Sequence, residues 1–465
     1  MTVVLVLVPG TVLGAQRRVC IRADLAEMLW DASVRDIGGL GGGVAAGEVL
    51  DIGEDFGRTD DPFPFALGNL LVRVEDAAGD ALFGWRPLGA DGCTPWFDEG
   101  TGVALVRSVS WHHYDDTGTD LVVYDCDSGG PGDEPFDFTQ CGLRRDMAMV
   151  EDLLEAPDGT LAWVIELPNR AHALAYGMAF TLQRTHALAA QASVPATDAG
   201  QALYGVYWPP RAPENGCFRR GTRASHIFGG RPTVEFQNRS TGCTDGQGNP
   251  LFAQNNEHAK ATVSHELGHL LTMQLPAGFT PTLDYGFNQP PGQGDHKIYS
   301  REWQATATAE GFAHYVTYLA WNREDEPTAV FGRADGGNGM FDLCQGTESA
   351  VSPDCSPTVT MVSVHEAMYC PGDGADVRTC PQLPGMLPCR RGVAVELDWA
   401  NFLWRLHATG AIEPGELLYL LSDVGLWQAP DDCSYWLAFL SKLQARSPQA
   451  WLAALTLGPQ MGVAQ

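Results

Sequence analysis

The sequence predicts an α+β protein in which a β-rich domain precedes a mixed domain and a helical lobe. Short runs of β-branched residues alternate with turns in the first half of the chain, for example at 70–74, 103–109 and 121–124, which is typical of a β-sandwich. Helical spacing begins at Asn169, strands and helices then alternate, and helical spacing returns at about Val393. The predicted parts are a lead-in (1–48), a β-rich domain (49–167), a mixed domain (168–325) and a Cys-rich segment with the helical lobe (326–465).

The lead-in begins with an apolar run at 3–15, followed by a glycine-dense stretch at 38–43. The apolar run has the length of the hydrophobic region of a signal peptide and is too short to span a membrane. No positively charged residue precedes it, so a buried strand is the alternative interpretation. The glycine-dense stretch predicts a flexible connection to the β-rich domain.

The β-rich domain carries two features that resemble ligand sites. Acidic loops at 115–120 and 125–137 offer oxygen ligands, but they lack the twelve-residue spacing of a calcium loop, and solvated loops are the favoured interpretation. His112 and His113 are adjacent, and adjacent residues of a strand point to opposite faces. A structural role is therefore expected for this pair.

Composition limits the classes of partner and the compartment. The formal net charge of −28 argues against binding to nucleic acid or to an anionic membrane surface. The twelve cysteines avoid Cys-x-x-Cys spacing, which favours disulfides and an oxidising compartment, so that the protein is expected to be secreted, periplasmic or on the cell surface. Buried free thiols in a cytosolic enzyme are the alternative. Sequence neighbours suggest the pairs Cys126 with Cys141, Cys217 with Cys243 and Cys344 with Cys355.

The most informative stretch is His-Glu-x-x-His at 265–269, within a predicted helix at 255–271. His265 and His269 are four residues apart, so both imidazoles lie on one helical face and can bind one Zn²⁺ ion. Glu266 is placed to act as general base on a zinc-activated water without being a ligand. Two histidines with ordinary hydrogen bonds are the alternative.

A catalytic zinc site needs a third protein ligand and an open fourth position. A second predicted helix at 300–316 carries Glu310 near its centre, which makes this carboxylate the preferred third ligand. Glu302, His296 and His314 remain alternatives because the path of the chain between the two helices is not known from the sequence.

The residues at 310–315, Glu-Gly-Phe-Ala-His-Tyr, resemble the Glu-Gly-Phe-Ala-x-Tyr motif of gluzincin metallopeptidases, notably the aminopeptidase-N-like family. The resemblance implies a zincin-like domain with zinc on His265, His269 and Glu310. The interval between the motifs is about twice that of the family, which predicts an inserted loop at 276–299. The family's Gly-x-Met-Glu-Asn segment is absent, so the resemblance does not extend to an exopeptidase. A zincin-like domain binds extended substrate along an edge strand, for which 233–236 is the candidate.

These observations predict a secreted zinc metallopeptidase that acts on a peptide or protein substrate. Glu266 would take the water's proton and pass it to the leaving amine. A further donor must stabilise the transition state, and the candidates are His314, Tyr315, Tyr299, His296 and Tyr369. His314 shares a helical face with Glu310 and could instead contact a ligand. Two rival functions remain, a secreted binding or adhesion protein with an inactive zincin-like scaffold and a non-proteolytic zinc hydrolase.

Overall fold

The computed structural model describes residues 16–23, 65–98, 102–114, 119–126, 141–143, 145–165, 170–191, 202–208, 223–228, 231–237, 243–244, 250–251, 260–273, 302–321, 330–331, 362–363, 393–394, 396–421, 432–460 and 463. The strands are β1 (Gln16–Ala23), β2 (Phe65–Ala66), β3 (Leu70–Asp76), β4 (Ala81–Pro87), β5 (Phe97–Asp98), β6 (Val103–Tyr114), β7 (Thr119–Cys126), β8 (Cys141–Leu143), β9 (Arg145–Met149), β10 (Leu154–Glu155), β11 (Thr160–Ile165), β12 (Ala202–Trp208), β13 (Arg223–Phe228), β14 (Arg231–Gln237), β15 (Cys243–Thr244), β16 (Pro250–Leu251), β17 (Glu302–Trp303), β18 (Val330–Phe331), β19 (Val362–Ser363) and β20 (Val393–Ala394).

The helices are α1 (Arg170–Gln191), α2 (Lys260–Met273), α3 (Gln304–Trp321), α4 (Glu396–Ala408), α5 (Pro414–Leu421), α6 (Asp432–Arg446) and α7 (Pro448–Gln460), with a 3-10 turn at Val150–Asp152. Helices and sheets are thus both present, as the α+β prediction requires. None of the described helices combines the length and the apolar character needed to cross a membrane.

A small sheet holds the first described strand. Its order is β10-β11-β1-β2, with β5 also paired to β1, and β1 runs parallel to β11. A disulfide between Cys20 and Cys93 joins β1 to the segment that follows β4. This bridge was not among the predicted pairs. Its two cysteines are far apart in the sequence, and only the folded sheet brings them together.

The principal sheet has the order β13-β14-β12-β7-β6-β3-β4, with β8 on β7 and β9 on β6. The sequence predicted a separate β-sandwich at 49–167, but β7 pairs in parallel with β12, so one sheet continues across the predicted boundary at 167. The apolar run of β7 explains the difference. Leu121, Val122 and Val123 are consecutive and all buried, which is the pattern of a central strand covered on both faces.

The predicted edge strand at 233–236 lies inside the sheet. It belongs to β14, which pairs in parallel with β12 and in antiparallel fashion with β13. Among the described strands, β13 therefore forms this end of the sheet. The sequence could not distinguish two neighbouring strands of similar composition, because only long-range pairing determines which of them lies outermost.

Helices α1, α2, α3 and α4 pack together beside the sheet, and α2 also contacts β13 and β14. Their cores include Leu174, Leu267, Phe312 and Trp399. The helical spacing predicted after Val393 corresponds to α4, α5, α6 and α7. An aromatic cluster, in which the rings of Trp399, Phe402, Trp436 and Phe439 contact one another, joins α4 to α6.

Several sequence predictions fall outside the described residues. These are the apolar run at 3–15, most of the acidic loops, the inserted loop at 276–299, and Cys217, Cys344 and Cys355. Of the predicted disulfide pairs, Cys126 and Cys141 are direct backbone partners in the antiparallel β7–β8 pair.

Candidate metal centre

Helices α2 and α3 carry every residue of the candidate site. Val263, Leu267 and Leu270 are fully buried and anchor α2 in the helical core, since they recur at helical spacing on one side of it. His265 and His269 project from α2 toward α3, where Glu310 lies near the middle of the helix. The site is therefore built on two packed helices, which hold side chains more rigidly than loops do.

Three ligand-type atoms converge between these helices. Glu310 Oε2 lies 3.1 Å from His265 Nε2 and 3.2 Å from His269 Nε2, and the two Nε2 atoms are 3.1 Å apart. The three atoms thus form a nearly equilateral triangle that could hold a metal ion. The two motifs that the sequence predicted to meet are brought together at the predicted residues.

Two structural details allow the helices to approach closely. A Cβ atom added to Gly268 would lie 2.7 Å from the Cα atom of Ala313, so only glycine fits where α2 crosses α3. One turn earlier on α2, Ser264 Oγ and Thr181 Oγ1 lie 2.7 Å apart, a contact that joins α2 to α1. Together these contacts set the position of the helix that carries both histidines.

The pKa shifts of the two groups favour a neutral His265 imidazole and an ionised Glu310 carboxylate. Burial lowers the pKa of His265 well below its usual range, and the nearby His314 lowers it further. Burial alone would raise the pKa of the Glu310 carboxyl, but His269 and His265 hold that pKa well below its usual range. A neutral imidazole and an ionised carboxylate are the forms that bind metal ions.

The candidate site is almost completely buried. His265, Glu266 and His269 are each 7% exposed and Glu310 is 4% exposed, whereas Ser264 and Tyr315 are fully buried. Glu266 follows His265 directly on α2 and is buried to the same extent. Within the described part of the chain, the group that could hold a metal ion consists of His265, His269 and Glu310.

His314 and Tyr315 are the candidates for stabilising the transition state or for contacting a metal ligand. Their side chains have different partners. His314 Nδ1 lies 3.2 Å from His265 Nδ1, on the side of the ring opposite to Glu310. The Tyr315 hydroxyl lies 3.0 Å from His407 Nδ1 on α4, and the Tyr315 ring packs edge-on against Trp404.

The other candidates lie beyond what the structure describes. Glu302 is in β17, of which the backbone alone is described, and His296, Tyr299 and Tyr369 are outside the described residues. His407 is a buried polar residue that the sequence analysis missed. Its position four residues after Leu403 and in the helical phase of the apolar residues of α4 was the only sequence signal for it.

No protein-family model matches the chain, and no curated protein is similar enough in sequence to count as a match. The class of the protein must therefore be inferred from the site itself.

Proposed function

We propose that the protein is a zinc-dependent metallopeptidase of the gluzincin type. The observation that carries the proposal is the convergence of His265, His269 and Glu310 at 3.1–3.2 Å beside a slightly exposed Glu266. Ligand atoms about 2.0–2.1 Å from a tetrahedral zinc ion stand about 3.3 Å apart. The triangle found here matches that dimension to within a few tenths of an ångström, so the residues fit the metal.

The chain's own residues divide the chemistry among them. His265, His269 and Glu310 would hold the ion, and zinc, when bound, supplies an acidified water and polarises the substrate carbonyl. Glu266 accepts the proton of the attacking water and returns it to the leaving amine, so its carboxylate must be ionised at the start of each cycle. The burial of the neighbouring side chains limits the access of bulk water to this proton transfer.

The substrate-binding part of the proposal concerns the principal sheet. β13 ends the sheet among the described strands and contacts α2. An extended peptide could pair with such an edge through backbone hydrogen bonds, which gives affinity with little dependence on sequence. The Cys20–Cys93 disulfide supports the proposal that the enzyme works in an oxidising compartment outside the cytosol.

The test is to measure metal content and hydrolysis of an unfolded protein substrate in the same purified samples. We expect about one zinc per chain in the wild type, loss of zinc in Glu310→Gln, and retained zinc with a roughly 10²–10⁴-fold lower rate in Glu266→Gln. Glu302→Gln is the matched control, since Glu302 is the alternative carboxylate ligand that the sequence left open, and it should keep both zinc and activity.

Other outcomes would move the assignment. Zinc retained by Glu310→Gln and lost by Glu302→Gln would transfer the third ligand to Glu302. A zinc-loaded wild type that cleaves small esters or amides and leaves proteins intact would favour a non-proteolytic hydrolase. A wild type without bound metal would favour the binding or adhesion protein.

A further inference from the structure

We propose that His314 is a positioning residue that fixes the tautomer and the orientation of His265, so that His265 Nε2 presents its lone pair to the metal ion. The inference rests on the proposed function and extends it to the contacts behind the ligands. Its basis is the way in which one helix contacts both nitrogens of a single imidazole ring.

Glu310 and His314 are one helical turn apart on α3, and they bracket the ring of His265. Glu310 Oε2 lies 3.1 Å from His265 Nε2, and His314 Nδ1 lies 3.2 Å from His265 Nδ1. The two imidazole centroids are 4.3 Å apart, with the ring planes tilted by 43°. The close crossing at Gly268 and Ala313 places α3 near enough for a side chain as short as histidine to make this contact.

The location of the protons follows from the chemistry of neutral imidazole. Such a ring carries one N–H donor and one lone pair, and the hydrogen bond of one nitrogen determines the role of the other. If His265 Nε2 binds the metal, His265 Nδ1 must carry the proton, and this N–H donates a hydrogen bond to His314 Nδ1. His314 is then the tautomer with its proton on Nε2.

An imidazole in this position differs from the usual partner of a metal-binding histidine, which is often a carboxylate. His314 is fully buried, and a neutral acceptor there adds no negative charge to the site. Glu310 therefore remains the only anionic residue among the metal ligands and this orienting contact. We expect less compensation of the positive charge of the metal than a carboxylate partner would give.

The first test compares zinc affinity by chelator competition in three variants. His314→Phe keeps a planar ring but removes the acceptor, and it should bind zinc about 10–100-fold more weakly. His314→Asn keeps an acceptor near the position of Nδ1 and should restore most of the affinity. Tyr315→Phe removes a buried hydroxyl from the next residue of α3, where it lies 3.0 Å from His407 Nδ1, and this variant should bind zinc like the wild type.

The second test uses the zinc-loaded wild type and does not depend on whether any variant folds. Long-range ¹H–¹⁵N spectra of histidine-labelled protein should show His265 protonated on Nδ1 and His314 protonated on Nε2. A proton on His265 Nε2, or wild-type zinc affinity in His314→Phe, would overturn the role of His314 while leaving the proposed function intact. Failure of the wild type to bind zinc would instead refute the proposed function itself.

Discussion

Among the described residues, two regions bury histidine side chains, and only one of them places histidines in a group that could hold a metal ion. In the helical region, His265 Nε2 and His269 Nε2 lie 3.1 and 3.2 Å from Glu310 Oε2. In the sheet region, His112 is fully buried on β6, with its Nδ1–H donated to the carbonyl oxygen of Gly68 at 3.2 Å. Burial lowers the pKa of His112 to about 4, and burial also lowers that of His265.

The comparison shows that burial and a lowered pKa do not identify a metal site by themselves. The difference lies in the backbone that carries each pair. A helix places residues four apart on one face, whereas a strand sends neighbouring side chains to opposite faces. His113 accordingly leaves the core and contacts the Asp120 carboxylate at 2.7 Å. Within the part of the chain that the structure describes, only the helical region brings several metal-ligating atoms together at one point.

The largest expected effect is that of added zinc on the free energy of unfolding, which should depend on the helical region and not on His112. Zinc at 1,000 times its dissociation constant should raise the free energy of unfolding of the wild type by about 4 kcal/mol, because it binds the folded state only. Glu310→Gln should lose most of this gain. His112→Leu, which alters the other buried histidine, should keep it, and equal losses in both variants would remove the distinction drawn here. Thermal unfolding of metal-free and zinc-loaded samples provides the measurement.

The second prediction concerns pH and isolates His112. Its folded pKa of about 4 lies below its unfolded value of about 6.5, so between these values the unfolded state binds more protons than the folded state. The contribution of His112 to the free energy of unfolding is therefore highest above pH 6.5. It falls as the pH drops toward 4, by about 3 kcal/mol in total.

His112→Leu should therefore show a flatter acid limb than the wild type when metal-free samples are unfolded with urea from pH 7 to pH 4. The difference between the two proteins cancels the titration of the groups they share, including His265. Parallel curves would show that the pKa of His112 is the same in the folded and unfolded states, so that its burial does not make stability depend on pH.

The sequence named three residues that the structure brings together, whereas it did not predict how distant strands pair. His265, His269 and Glu310 could be named because each motif is local, and because zinc chemistry demands residues that are chemically distinctive. Gly268 could not be recognised from the sequence as the point of helix crossing. The backbone that excludes a larger side chain there is that of Ala313, which is remote in the sequence. The role of His407 in contacting Tyr315 depends on the packing of α4 on α3 and was invisible for the same reason.

The difference between the β-sandwich predicted at 49–167 and the observed sheet has a related cause. Alternation and turn residues identified strands such as β3, β6 and β7, but they carry no information about which distant strand completes the sheet. The parallel pairing of β7 with β12 joins residues on either side of the predicted boundary at 167. The consecutive buried residues Leu121, Val122 and Val123 were the available indication of a central strand.

The third prediction concerns the close crossing of α2 and α3 at Gly268 in the helical region. Gly268→Ala places a Cβ 2.7 Å from Ala313 Cα, and such overpacking costs about 1–3 kcal/mol of stability. Separation of α2 from α3 would also weaken zinc binding, because Glu310 would move away from both histidines. Gly84→Ala is the control, since nothing lies within 4 Å of a Cβ at that position. Equal zinc affinity in both variants would show that the close crossing does not set the ligand geometry.

The smallest effect is expected where the sheet region most resembles a functional site. His113 Nδ1 and Asp120 Oδ1 lie 2.7 Å apart, with the two side chains 37% and 29% exposed, and even a fully charged pair at the surface contributes about 0–1 kcal/mol. His113→Ala should therefore change the urea midpoint little. Asp120→Ala should cost more, because the same carboxylate oxygen also accepts the Trp111 indole N–H at 2.8 Å. Neither variant should alter zinc affinity or peptide hydrolysis. A loss of zinc affinity or of peptide hydrolysis in His113→Ala would show that this face of the sheet takes part in function. The distinction between the two histidine regions would then be wrong.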